Sequence, residues 1–372
     1  MISAIHAAVK ASLDAKTYTA RAYPTGTSIS VVKGGPTSVR VTNPVFEISY
    51  KLAPVSASTI NVYCRTGADT FQYLTGYGEV VCRTFDIASR DFNNDRAVVY
   101  TDATYCVYEA LPWVINGKIF LFTHERLRSD PTNTATARNC VMVSTDGLVG
   151  KSFSAAVVAS FTNYVIPSSV ITNSDGTYSI IYGAAAAPTG IYKAAISTAY
   201  DGTLTGFGQV STNVGSEGGY LNLDASGTVM GLYRFDAGAP LRAIKSTNWG
   251  AAWSAFANTI GAATGAKVTP KLIRCAGDAT KSIVSFNDRG NGNFDYVSSL
   301  NTDASLTANS LRAPARLSDT TNSLGNSSIC VLSSADRSYL CVATATGSGN
   351  NPNQMFWWIF TDSLNVIPAP WQ

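Results

Sequence analysis

Charge is what this sequence is short of. Only 14% of its residues are Asp, Glu, Lys or Arg, against roughly 25% in an ordinary soluble domain. The 27 basic and 24 acidic side chains leave a formal charge of +3, too small and too dispersed for the basic stripe of a nucleic-acid-binding protein. Histidine is scarcer still, with His6 and His124 alone, which leaves a His-based catalytic system or a multi-His metal site little to work with. No apolar run approaches the roughly 18–20 residues that span a bilayer, and the opening MISAIHAAVKASLDA is interrupted by His6, Lys10 and Asp14. Neither a membrane span nor a cleaved signal peptide is expected. The seven cysteines are odd in number, with no CxxC and no Cys/His clustering, and most sit in apolar runs such as NCVMV and SICVL. Buried free thiols are expected rather than disulfides or metal ligands, with synthesis in a reducing cytoplasm and no cofactor.

What the chain does have is 45% hydrophobic residues and 10% aromatics over 372 positions, with a surface left to Ser, Thr, Asn and Gly. That composition is common among extracellular β-proteins and virion proteins. A repeat is also present. Five times an apolar strand, a polar loop and a second alternating strand recur, beginning near Leu111, Ile166, Tyr220, Thr269 and Ser327. Aligned on Gly117, Gly176, Gly227, Thr280 and Arg337, the copies have the spacing of four-stranded propeller blades with their loops. The strands are short, β-branched or aromatic, and joined by DG, SG or Asn-containing turns, which are hairpin signals rather than helix caps. The expected fold is all-β: a β-propeller of five or six four-stranded blades.

Upstream, VFEISYKLA, INVYCRTG, EVVCRTF and RAVVYTD read as strands of a sixth blade or a small β-domain. The first 15 residues place Ile2, Ile5, Val9 and Leu13 at helical spacing, as a helix packed on its own body or as a docking or trimerisation handle. The organisation expected is an N-terminal helix and extended attachment segment over 1–40, an irregular β region over 41–108, and propeller blades over 109–372.

The third copy contains Ser246-Thr247-Asn248-Trp249-Gly250-Ala251-Ala252-Trp253. It resembles the Asp-box of sialidase-like β-propellers, S-x-D-x-G-x-x-W, with Asn248 in place of Asp. In such a turn the Ser and Asp side chains bond backbone groups, Gly adopts positive φ, and the aromatic plugs between blades. Degenerate copies are Ser144 and Asp146 with Phe153, Ser197 and Asp201 with Phe207, and Asn301-Thr302-Asp303. The resemblance implies a structural role for these residues, on the face away from the family's active site.

The first copy carries the resemblance further. Tyr108-Glu109-Ala110-Leu111-Pro112 is similar to the Arg-Ile-Pro strand of sialidases, keeping Pro112 but placing Ala110 where an arginine would clamp the substrate carboxylate. Glu125 and Asp130 are the acid/base candidates that the resemblance offers, with no match for the remaining arginines or the nucleophile pair. The loops expected to meet a ligand carry His124, Glu125, Arg126, Arg128 and Asp130, then Arg234 with Asp236, and Asp288 with Arg289. Each charged set also reads as a local ion pair pinning a loop. Two functions are carried forward. One is a non-enzymatic bacteriophage virion protein of the tail, which touches other virion proteins and a host-surface glycan or receptor, with a homo-trimer as the expected assembly. The other is a glycoside hydrolase using Glu125 and Asp130. A bacterial lectin-like propeller unconnected with phage is a third.

Overall fold

In the computed structural model, the described residues are 29–37, 46–67, 78–93, 95–131, 133–161, 165–184, 189–212, 217–234, 241–260, 267–276, 278, 281–288, 294–301, 315–316, 327–335, 337–345 and 354–362. Among them are twenty-five strands, no α-helix, and one 3-10 turn at Thr134–Thr136. The helix expected over the first 15 residues lies outside the described residues.

The strands form six antiparallel sheets. The first holds β2 (Phe46–Pro54), β3 (Thr59–Gly67), β4 (Val80–Asp86) and β5 (Asp91–Phe92), with β6 (Ala97–Tyr100) also on β4. The second holds β7 (Tyr105–Ile115), β8 (Lys118–Leu127), β9 (Arg138–Val143) and β10 (Val157–Val158). The third runs β11 (Val165–Thr172), β12 (Tyr178–Ala184), β13 (Gly190–Ile196), β14 (Leu204–Ser211), and the fourth β15 (Gly218–Asn222), β16 (Val229–Arg234), β17 (Leu241–Ser246), β18 (Ser254–Ile260). The fifth runs β19 (Lys267–Arg274), β20 (Lys281–Asp288), β21 (Phe294–Asn301), β22 (Ala315–Arg316). The sixth takes β23 (Ser328–Ser333), β24 (Ser338–Ala345) and β25 (Gln354–Asp362), and is completed by β1 (Ile29–Thr37).

The first strands touch in a closed ring, β2 to β7, β11, β15, β19, β23 and back to β2. This is a β-propeller, and the described sheets make six blades. Of the region 41–108, left open above between a blade and a separate β-domain, the described residues supply the first blade and the start of β7. Residues 29–37 differ from the expectation of an attachment segment. They pair antiparallel with β25 from Ile29 opposite Asp362 to Thr37 opposite Met355, so that an early strand completes the sheet formed by the last three.

Blades form here because second strands are apolar on both faces. The strand β8, KIFLFTHERL, is buried from Ile119 to Arg126, as a sheet sandwiched between neighbouring blades must be. The β7–β8 turn is Asn116-Gly117, with φ of 48° and 71°, the pair of positive angles that a two-residue type I′ hairpin demands. Side chains then tie blade to blade. The Asn61 amide and Tyr63 hydroxyl donate to the carbonyls of Val149 and Gly150 at 2.9 and 2.8 Å, and Asn222 both accepts from and donates to the backbone of Thr172. The Tyr339 hydroxyl accepts from the Ala276 amide at 2.8 Å, and Ser328 Oγ accepts from the Leu52 amide at 3.2 Å. Innermost strands are edges, so their unpaired backbone groups need such partners.

In the turns that carry the Asp-box pattern, the side chains bond backbone amides. In the second blade Asp146 accepts from the amides of Gly150, Lys151 and Ser152 at 2.9 Å each, and Ser144 Oγ accepts from the Ile119 amide at 2.9 Å. In the third, Ser197 Oγ accepts from the Ala199 amide and Asp201 from the Thr203 amide. In the fourth, Ser246 Oγ accepts from the Gly250 amide and Asn248 Oδ1 from the Ala252 amide, both at 2.9 Å. Trp253 is partly buried, edge-on to Tyr220 with ring centroids 5.5 Å apart. All seven cysteines are free and buried.

Candidate functional site at the propeller axis

Four of the six inner strands are bulged at mid-length. The register of β2 shifts between Ile48 and Lys51, β7 between Val107 and Glu109, β11 between Pro167 and Ser169, and β19 between Val268 and Lys271. A bulge re-aims the side chains beside it and is favoured next to functional sites. Here the bulges flank Ser49, Lys51, Tyr108, Glu109, Ser168 and Lys271. Ser49 itself adopts φ of 60°, a left-handed conformation costly for a residue with a Cβ.

These residues meet. Lys51 Nζ lies 2.8 Å from Glu109 Oε1, and Ser49 Oγ donates to Glu109 Oε2 at 2.8 Å, so both carboxylate oxygens are held. Burial alone would raise the Glu109 pKa, but Lys51 first, then Arg65 and Lys271, bring it below the usual carboxylate range. Lys271 is pulled the other way, down to about 8, by burial and by the like charge of Lys51, with Glu109 and Glu217 partly restoring it. The neighbouring chain passes close: a Cβ on Gly219 would fall 2.8 Å from the Leu272 amide nitrogen.

Inner strands end at the turn leading to the second strand, and the Asp-box turns share that face, as the Trp249 amide bonded to the Gly227 carbonyl at 2.8 Å records. The ends of second strands therefore lie on the opposite, loop face. There Tyr108, the residue in the β7 bulge, has the Arg126 guanidinium 3.8 Å and the Arg65 guanidinium 5.2 Å from its ring centroid, with His124 edge-on at 5.7 Å. The arrangement is a half-buried aromatic flanked by two cations, next to the Lys51–Glu109 pair.

The sequence-derived candidates fall in several places. His124, Glu125 and Arg126, expected in a ligand loop, belong instead to β8 and are buried, because β8 runs to Leu127. His124 is cross-strand from Asn139; burial first, then the Arg126 charge, lower its pKa to about 3. Glu125 does not have the setting of a general acid. Its side chain is fully buried, Arg138 Nε donates to Oε2 at 2.8 Å, and the Thr123 hydroxyl donates to Oε1 at 2.7 Å. The same Arg138 reaches Asp102 at 2.7 Å and lies 3.6 Å over the Tyr105 ring. Glu125 thus anchors a structural ion-pair group, while Asp130 is exposed on the following turn. Arg126 donates to the Pro131 carbonyl and Arg128 to the Asp102 carbonyl, fastening that turn. Arg234 pairs with Glu217 at 3.4 Å. Asp236 and Arg289 lie outside the described residues, and Asp288 is described only as the last residue of β20. Ala110, at the position of the family's clamping arginine, is buried in the core between the first two blades.

Sequence reasoning missed Ser49, Lys51, Arg65, Lys271 and Glu217, and quoted Tyr108 and Glu109 only for motif spacing. One signal was available: a lone lysine inside an otherwise apolar strand, in ISYKLA and again in VTPKLIR. Among the described residues no group of three or more potential metal ligands occurs.

The described residues form a β-propeller with a charged, bulged axis, and the propeller fold is one that solved structures share. A protein of unknown function from Dyadobacter fermentans superimposes with a TM-score of 0.70 at 12% identity, over 90% of this chain and 99% of that one. The Hadza microbial sialidase Hz136 gives 0.64 at 9% identity, over 87% of this chain and 66% of the sialidase. Trypanosoma rangeli sialidase gives 0.58 at 11%, over 89% and 59%. The chain thus spans two thirds or less of either sialidase, and the likeness is one of fold. No protein-family model matches the sequence, and no curated protein matches it.

Proposed function

We propose that this propeller binds a glycan on its loop face without cleaving it, and that it does so as part of a bacteriophage virion. The observation that carries the binding reading is the convergence of Tyr108, Arg65 and Arg126 beside the Lys51–Glu109 pair. Guanidinium donors fixed around a half-buried tyrosine suit a polyhydroxylated ligand, for which a few placed polar groups set orientation. A glycosidase needs two carboxyl groups roughly 5–9.5 Å apart, one protonated as acid. Glu125 is locked by Arg138 and Thr123, and Glu109 is held ionised by Lys51. The virion setting is supported by the polar, weakly charged composition and by the free buried thiols.

The alternative reading is a glycoside hydrolase, which the fold shared with the two sialidases favours. One experiment separates the two. Purified protein is applied to immobilised glycans, including host surface polysaccharide, and released sugar is measured in parallel. Binding without release, weakened by Tyr108→Ala, is expected. Sugar release abolished by Glu109→Gln would replace the binding reading with the hydrolase, and the absence of any glycan bound would remove it.

A further inference from the structure

The channel along the propeller axis is not filled. From the level of the bulges toward the turn face, the strands β2, β7, β11, β19 and β23 line an open cavity of about 420 Å³, within the roughly 300–1,000 Å³ of small-molecule sites. Its wall is mainly apolar, with Leu52, Leu111, Leu272 and Cys330, and two lysines, Lys51 and Lys271, join it.

The two lysines differ in what satisfies them. Lys51 is ion-paired with Glu109 at 2.8 Å. The Lys271 ammonium makes no hydrogen bond or ion pair among the described residues. It is enclosed by protein, yet its side chain keeps accessible surface, and it lines the cavity. A cation beside a mainly apolar space, with the Glu109 and Glu217 charges only partly offsetting its burial, is costly, and the cost falls when an anion arrives. A fully hydrophilic guest would answer Lys271 but set polar groups against the three leucines.

We infer that the axial cavity binds a small amphipathic carboxylate, in its simplest form a medium-chain aliphatic acid, with the carboxylate on Lys271 and the chain against Leu52, Leu111 and Leu272. This goes beyond glycan binding: Tyr108, Arg65 and Arg126 are not part of the cavity wall, and of the residues named for the glycan site Lys51 is the one it shares.

The test is calorimetric titration of the folded protein with decanoate and, separately, with 1-decanol. Saturable one-to-one binding of decanoate is expected, with 1-decanol weaker by about tenfold or more, as loss of a charge-assisted hydrogen bond implies. Lys271→Met, which keeps the aliphatic stem, should lose decanoate affinity to the same degree. Val331→Phe, enlarging a wall residue within β23, should also weaken decanoate while leaving glycan binding unchanged, so the two sites can fail independently. No saturable uptake of decanoate, equal affinity for the alcohol, or undiminished affinity in a folded Lys271→Met protein would each overturn the assignment.

Discussion

Lys51 and Glu109 stand on the inner strands of adjoining blades, and their side chains close to 2.8 Å across the seam between them. The pair is nearly dry, with Lys51 4% and Glu109 13% exposed. Removing one partner of such a pair strands the other charge, at a cost of about 3–5 kcal/mol, whereas removing both is far milder. Glu109→Gln is therefore expected to lower the denaturant midpoint sharply, and Lys51→Met with Glu109→Gln to recover much of the loss. A double-mutant cycle by urea unfolding checks it, and additive effects would show that the two side chains do not act as a pair.

His124 makes stability sensitive to mild acid. Its folded pKa lies at about 3, well below the ordinary 6.5, so the unfolded chain binds the proton first. The contribution is complete above pH 6.5 and is lost as pH falls toward 3, by up to about 1.4 kcal/mol per pH unit. Asp95, Asp102 and Glu109, whose pKa values are lowered, add their own losses further down. Between pH 6.5 and 5 the slope belongs to His124, and His124→Gln should flatten it in chemical denaturation series.

Arg138 is expected to matter for folding rather than for binding. Arg138→Ala leaves the buried Glu125 carboxylate without its ion-pair partner, the Thr123 hydroxyl still donating to it, which should cost about 3–5 kcal/mol. Thermal melts would register the loss; glycan binding by protein that remains folded should persist.

The Asp-box of the fourth blade gives a graded pair. Asn248→Ala removes the acceptor for the Ala252 amide and for the Ser246 hydroxyl and should cost about 1 kcal/mol. Trp253→Ala should cost about 2 kcal/mol, less than the roughly 3–5 of a fully buried tryptophan, because the indole is only partly covered. Unfolding midpoints in which Trp253→Ala is neutral would remove its role as an inter-blade plug.

The blades were readable from sequence because each must repeat an apolar middle strand and a polar turn, and both are local patterns. SGTVMGLYRF needs no knowledge of its neighbours to read as turn and strand. The site was not readable for the converse reason. Lys51 and Glu109 are distant in sequence, and what unites them is a ring closure together with bulges, which shift register without a fixed residue signature. Glu125 and Arg126 misled because charges near a strand end read as loop residues. A partner such as Arg138, on the next strand, lets them be buried instead. The blade number was ambiguous because the strand that completes the sixth sheet comes early in the chain, far from the three it joins.

That closing strand sets an order of events. Ile29–Thr37 leaves the ribosome long before Gln354–Asp362, its partner, exists. Until then β25's place beside it is open, and an unpaired strand will accept any chain that offers a matching edge. A nascent chain held before β25, or two chains emerging side by side, could trade their first strands and leave as an exchanged dimer in which each ring is completed by its neighbour's β1. Such long-range closure is slow to form, so synthesis at low expression rates should favour the monomeric ring over the exchanged form.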